Sequence, residues 1–474
     1  MSDVPPFGFG LPDRDPERRE PGKGGDPAGD PFGLGALFGG IAGGGSPEDL
    51  LGKMPLFAEL QKLMSWSGGP VNWDLARQGA ISQLSAGHQP TSQAEQTAVA
   101  EALRLGDLWL DQVTELPSGI ERTAAWSRVD WVEKTLPAWG ALIDPLAEKV
   151  VAAMTSALPQ EAAMSFGPIA GIMGRMGGLM FGAQIGQALG KLADEVVTST
   201  DVGLPLAPAG TGVLVPQNVA DFAAGLDRPA DEVRLFLALR EAASQRLFAH
   251  VPWLRQQLQD AVHAYARGIT IDREAIERNI NEAMSGGAEG GGLDPSDPES
   301  IQRLLSSGVL EPEETPEQQM ALRRLETLLA LVEGWVDTVV AAAATDRLPG
   351  HSALAETMRR RRATGGPAEQ TFATLVGLEL RPRRLRDAAT VWGAMGQRYG
   401  SAGRDRLWSH PDLLPTSDDL DEPMDFVARQ DLDDELTALT ASDAEKPSAP
   451  DDRNAGDDDT STPERPGDEE DGRA

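Results

Sequence analysis

The sequence predicts a mainly α protein: one helical domain, with at most a short strand segment, flanked by disordered tails. Three observations predict it. Between the ends, Ala, Leu, Glu, Gln and Arg dominate, apolar residues recur at three-to-four spacing, and strand-like alternation is scarce. Several helix starts carry capping residues at the right offsets. The two ends differ in composition from everything between them. Residues 1–46 are rich in Gly, Pro, Asp and Arg, with little apolar periodicity. Residues 411–474 hold 22 acidic and 5 basic side chains, a net of −17 out of −32 for the whole chain. Gly (52) and Pro (35) together run well above the roughly 12% of ordinary chains. The predicted organisation is a disordered segment 1–46, a helical domain 47–414 with a flexible loop at 285–300, and an acidic disordered tail 415–474.

The elements follow in chain order. Residues 165–190 hold eight glycines, and Gly174, Gly178, Gly182, Gly186 and Gly190 recur every four residues. That spacing puts them on one helical stripe, where a neighbouring backbone can come close. Gly212–Val215 reads as a short strand that Pro216 ends. Asp227, with Pro229 in the first turn, opens a helix running to about Phe248, and Pro252 ends or kinks it. Ser296 and Glu299 open a short helix stopping near Gly308. Thr315, Pro316 and Gln318 form a capping-box pattern for a helix reaching about Ala344.

Composition excludes several functions. Without cysteine there are no disulfides, cysteine-zinc sites, iron–sulfur clusters or thiol nucleophiles. A net charge of −32 argues against nucleic acid and against anionic membrane surfaces. The first residues, MSDVPPFGFG, lack the basic and apolar regions of a signal peptide. No 18-residue run is free enough of charge and polarity to suggest an integral membrane segment, so the expected location is cytoplasmic. A protein partner, reached through the tails, stays open.

Two helices carry candidate chemistry. The first reads Arg240-Glu241-Ala242-Ala243-Ser244, so positions 240 and 244 share a face one turn apart. In a zinc peptidase those positions would be the histidines of H-E-x-x-H, with the Glu as general base. The second, LLALVEGWVDTVV, places Glu333 and Asp337 one turn apart among apolar residues. A carboxylate there needs solvent, an ion pair with an arginine such as Arg240, or a metal.

The ordered motifs, from the Gly-rich helix through LVPQNV, R-E-A-A-S, HVPWLR, V-E-G-W and GLELRPRRLRDA to HPDLLPT, resemble the zincin-like metallopeptidase family, type 2. That family is also described by a hydrolase name and as F420-biosynthesis-associated. The resemblance spans roughly residues 151–429 and implies a zincin-like helical domain. Carried over position by position, Glu241 matches the general base and Arg240 and Ser244 match the two histidine ligands. Glu333 is the candidate for the downstream acidic ligand. His250 lies ten residues after Arg240, but Leu247 stands where an extended zincin motif needs Gly, so His250 reads instead as a helix-end residue near Trp253.

The departure at the ligand positions decides the expected function. Arginine offers a metal no lone pair, and serine is a poor ligand. No cofactor is expected, with zinc implied only if the family activity is retained. The first reading is therefore a zincin-fold protein, catalytically inactive, that works as a binding or scaffold protein, with an Arg240–Glu333 or Arg240–Glu241 pair in the metal's place. The second is a metal-dependent hydrolase with an altered site built from Glu241, Glu333, Asp337 and His250, whose oxygen ligands favour magnesium or manganese. The third is a regulatory or assembly protein acting through its tails and the Gly/Met-rich helix.

Overall fold

A computed structural model describes residues 69–156, 167–267, 315–363 and 382–431. Segment 1–46, the loop 285–300, the helix expected from Ser296 to Gly308 and most of the acidic tail lie outside the described residues. Residues 427–474 form a unit of their own, of which only the helical residues 427–431 are described. The larger unit, residues 1–426, holds every element named below.

The described elements are, in order, α1 (Trp73–Leu84), α2 (Gln93–Leu110), β1 (Arg122–Ala125), α3 (Arg128–Ser156), α4 (Gly167–Ala193), β2 (Thr211–Leu214), α5 (Pro216–Ala223), α6 (Ala230–His250), α7 (Pro252–Arg267), α8 (Pro316–Ala344), α9 (His351–Ala363), α10 (Pro382–Arg406) and α11 (Ser417–Asp421). The protein is mainly helical, as predicted. The Thr315/Gln318 capping box is formed, and α8 ends at Ala344. A second box, Ser92 with Glu95, opens α2. A third, Thr416 with Asp419, opens α11, inside the stretch that charge composition assigns to the tail. There Asp419 accepts from the Thr416 N–H at 2.8 Å and closes the box.

Helix α6 departs from its predicted start. Its N-cap is Pro229, not Asp227, and no side chain caps it. Asp231 and Glu232 in the first turn supply the negative charge that the exposed N–H groups favour. The helix runs without a turn through Leu247 to His250, and Pro252 begins α7.

The predicted strand is β2, and Pro216 ends it as the first residue of α5. Its parallel partner β1 pairs Arg122 with Thr211 through to Ala125 with Leu214. Beyond β1, the Gln96 amide stands in for another strand. Its Nε2 donates to the Ala125 carbonyl at 2.8 Å, and its Oε1 accepts from the Ala125 N–H at 3.1 Å.

The Gly stripe of α4 faces α1. A Cβ on Gly182 would lie 2.6 Å from the Asn72 carbonyl oxygen, and one on Gly186 2.6 Å from that of Ala76. The backbones therefore pack as the four-residue spacing predicts. In α3, Pro145 cannot donate to the Ala141 carbonyl, and His263 Nε2 lies 3.5 Å from that oxygen.

The core centres on α6 and α8. Helix α6 packs against α2, α8 and β2, and α8 against α7 and α10. Every residue of α6 from Phe236 to Phe248 is buried, the signature of a helix enclosed on all sides. Helix α8 is long and apolar enough to cross a membrane, but 78% of its most apolar stretch is buried within the fold. At Gly334 it meets α10 so closely that a Cβ would stand 2.7 Å from the Ala389 nitrogen. The neighbouring Trp335 donates its indole N–H to Asp405 Oδ1 at 2.9 Å.

Candidate functional site

A helix buried all round must satisfy every polar side chain it carries. Helix α6 carries Arg240, Glu241, Ser244, Gln245 and Arg246 in its buried stretch. The three charged ones point to three different sets of partners.

Glu241 is fully buried. Its Oε1 accepts from Ser199 Oγ at 2.6 Å, Gln245 Nε2 at 3.0 Å and the Val213 N–H at 3.1 Å. Its Oε2 accepts from Thr200 Oγ1 at 2.7 Å and the Thr200 N–H at 3.3 Å. Five donors converge on two oxygens with about four lone-pair sites between them. No acceptor direction is left for a water molecule or a substrate proton.

Arg240 reaches the opposite way, to α8. Its Nη2 donates to Glu333 Oε2 at 2.7 Å, and its Nη1 donates to Asp337 Oδ1. The same Glu333 oxygen also receives Arg362 Nη1, from α9. Arg362 and its neighbour Arg361 reach on to Asp201, at 3.9 and 3.3 Å. The result is an alternating chain: Asp337, Arg240, Glu333, Arg362, Asp201, Arg361. Three carboxylates and three guanidiniums balance in charge. That balance matters because an unpaired buried ion carries a penalty of several kcal/mol in order of magnitude.

The titration of the chain follows from its geometry. Burial alone would push the Asp201 carboxyl up. Arg361, Arg362, the Val197 N–H and Arg240 outweigh burial and hold it below the ordinary 3.8. Burial likewise works against the charge on Arg362, but Glu333, and behind it Asp201 and Asp337, raise its pKa well above the ordinary arginine value.

The remaining candidates lie apart from this chain. Ser244 is buried within the helix, not on an exposed elbow where a nucleophile could be reached. His250 is the exposed last residue of α6, with Nε2 3.1 Å from the Ser118 carbonyl oxygen. Arg246 donates to Asp107 Oδ1 at 2.8 Å, Asp111 Oδ1 at 2.6 Å and the carbonyls of Leu116 and Asp107 at 2.8 and 2.6 Å, which ties α6 to α2. Among the described residues, no group of three or more His, Asp or Glu side chains could hold a metal ion.

Residues 71–427 match the zincin-like metallopeptidase family. The chain belongs to that family. The match begins well before the motifs that carry the resemblance, so α1, α2 and β1 are part of the zincin-like domain. A chain from Chloroflexus aurantiacus, provisionally named a hydrolase and described as having a novel fold, aligns with a TM-score of 0.52 and 20% identity over 76% of this chain and 99% of that one. That likeness concerns the fold. No curated protein matches.

Set against the family's H-E-x-x-H, the donor set here does not fit zinc. Arg240 has no lone pair for a metal. Its guanidinium sits on Glu333, the candidate third ligand, and a second guanidinium shares that oxygen. Sequence reasoning missed Asp201, Ser199, Thr200, Arg361 and Arg362. The run Arg359–Arg362 was the available signal, since four arginines in succession must point round the helix and some must meet its packed face.

Proposed function

We propose that this zincin-like protein has no working zinc centre and acts by binding, as a non-catalytic recognition or scaffold protein. One observation carries the reading: the Arg240 guanidinium occupies Glu333 and Asp337 as a cation would. A further feature supports it: the general-base position, Glu241, is saturated by five donors. A hydrolase of this family needs a metal to polarise a carbonyl and to lower the pKa of water, and Glu241 has no lone pair turned toward either.

The test is the metal content of purified, tag-free full-length protein, measured by elemental analysis. Well under one zinc per chain is expected. About one zinc per chain would overturn the reading and make hydrolysis the leading one. A restored site sharpens the test. Arg240→His with Ser244→His rebuilds two ligands, but Arg362 still holds the Glu333 oxygen. Adding Arg362→Gln is therefore expected to raise zinc affinity at least tenfold over the double variant. Equal affinities would show that Glu333 is not the third ligand.

A further inference from the structure

The segment joining α4 to β2 is buried almost throughout. From 196 to 207 every residue is buried except Asp201, which is half-buried. Loops ordinarily run over the surface because their backbone polar groups need water. This one meets that need inside the protein. Thr198 pairs antiparallel with Leu214, on β2, and the Val215 N–H donates to the Val197 carbonyl at 2.9 Å. Ser199 and Thr200 then lie on Glu241. Asp201 follows, with the Val197 N–H on its Oδ2 at 3.0 Å.

The segment combines apolar anchors, Val196 and Val197, which are buried in the core, with the polar run Thr198, Ser199, Thr200 and Asp201. Two of its polar anchors, β2 and Glu241, are the groups it covers. A third is Asn218, on α5, whose Nδ2 donates to the Val196 carbonyl at 2.6 Å, and a fourth comes from α9. Arg361 Nη2 donates to the Glu195 carbonyl at 2.5 Å, and Arg362 Nη2 to the Asp201 carbonyl at 3.2 Å. Both guanidiniums also face the Asp201 carboxylate. Helix α9 therefore grips this segment at both ends.

We propose that residues 195–201 form a strap that closes the Glu241 site, and that Arg361 and Arg362 are its latch. The strap lies over the edge of β2 and uses up the carboxylate's acceptor sites, so the structure is the closed state. Releasing the latch frees the strap; Arg362 also holds Glu333 on α8, so Asp201→Asn, which leaves that pair in place, is the variant that isolates the strap from the helices beneath it. The contacts of α6 with α2 and α8 do not pass through residues 195–201. This inference does not depend on whether the site ever held a metal.

The test is hydrogen–deuterium exchange, followed peptide by peptide on the full-length chain. In Arg361→Gln/Arg362→Gln, amides of 195–207 are expected to exchange at least tenfold faster than in the natural protein, while α2 and α10 keep their rates. Carbodiimide coupling of glycine ethyl ester to Glu241, absent in the natural protein, is expected to appear. Arg359→Gln/Arg360→Gln, on the exposed side of the same helix, is expected to change neither. Asp201→Asn breaks the latch from the strap side and decides the matter if the double arginine variant does not fold. Unchanged exchange at 195–207, or acceleration of every peptide together, would overturn the proposal. Zinc content enters neither readout, so this proposal and the proposed function fail separately.

Discussion

Helices α4 and α6 are both deeply packed, but by opposite means. Helix α4 meets α1 across a seam of Gly182, Gly186 and Gly190 against Asn72, Ala76 and Ala80, with backbone almost touching backbone. Helix α6 is apolar over much of its buried length, but it also places three charges inside the fold, Arg240, Glu241 and Arg246, each hydrogen-bonded. The seam is set by volume and tolerates no added atom. The hub is set by completeness and tolerates no missing partner. At α4 the sensitive change is one that enlarges a residue; at α6 it is also one that removes a polar group, although α6 has its own tight contact at Gly119, where a Cβ would lie 2.2 Å from the Gln245 carbonyl oxygen.

The largest effect is expected from Glu241→Ala. It strands five neutral donors in a fully buried site, and each buried donor left unsatisfied costs about 1–3 kcal/mol. Urea unfolding would show it as a fall in midpoint. Glu241→Gln is expected to lose less, because it keeps one acceptor oxygen while turning an NH2 group toward donors. If Ala and Gln destabilise equally, the hydrogen bonds to Glu241 are not what holds the hub.

The seam should respond next. Gly186→Val places a side chain against the Ala76 carbonyl, and overpacking of this kind costs about 1–3 kcal/mol. The contrast is Gly393 in α10, where an added Cβ meets nothing within 4 Å. Gly393→Ala is expected to stabilise by roughly 0.5–1 kcal/mol, the helix-interior difference between the two residues. Thermal unfolding of the pair would check both signs. A Gly186→Val protein as stable as the natural one would mean that α1 can move away.

The two regions also differ in how far the sequence reveals them. The seam is legible because its signal is local: one residue type at one spacing. The capping box at Thr315 is legible for the same reason. The hub is legible only in part. The Arg240–Glu333 pair is among those expected once the resemblance aligns positions 240 and 333, and it forms at 2.7 Å, whereas the alternative Arg240–Glu241 pair does not. The partners of Glu241 are not legible, since it finds Thr200 41 residues away and no short-range pattern encodes that contact. The run Arg359–Arg362 signals that some guanidiniums meet packed structure but not which groups they meet, so Arg361 and Arg362 pass unnoticed until α9 is seen against the strap. Strand β1 escapes because only Ala125 of its four residues is buried, which leaves no alternation to read. The start of α6 differs from the sequence expectation for a further reason. Asp227 is a good capping residue by type, but Pro229 takes the cap position, and Asp231 and Glu232 serve the helix end by charge.

The smallest effect expected is a pH dependence that belongs to the hub alone, since the seam holds no titratable group between its facing backbones. Asp201 titrates below its ordinary 3.8 in the folded chain and near that value when unfolded. As pH falls, the unfolded chain takes up the proton first. The contribution of Asp201 is therefore complete above about pH 3.8 and is lost as pH drops from there through the lower folded value. Arg362 stays charged throughout this window, its pKa being raised. Asp130 is also held low, against its burial, by Lys134 and Ser127, so the acid response of the natural protein alone is not diagnostic. The difference between the natural protein and Asp201→Asn isolates the strap, because Asp130 contributes equally to both. Urea midpoints of the two are expected to differ by a constant amount from pH 7 down to about 4 and to converge below it. A difference that persists unchanged to about pH 2.5 would mean that Asp201 holds the strap through its shape and its backbone, with its charge against Arg361 and Arg362 contributing nothing.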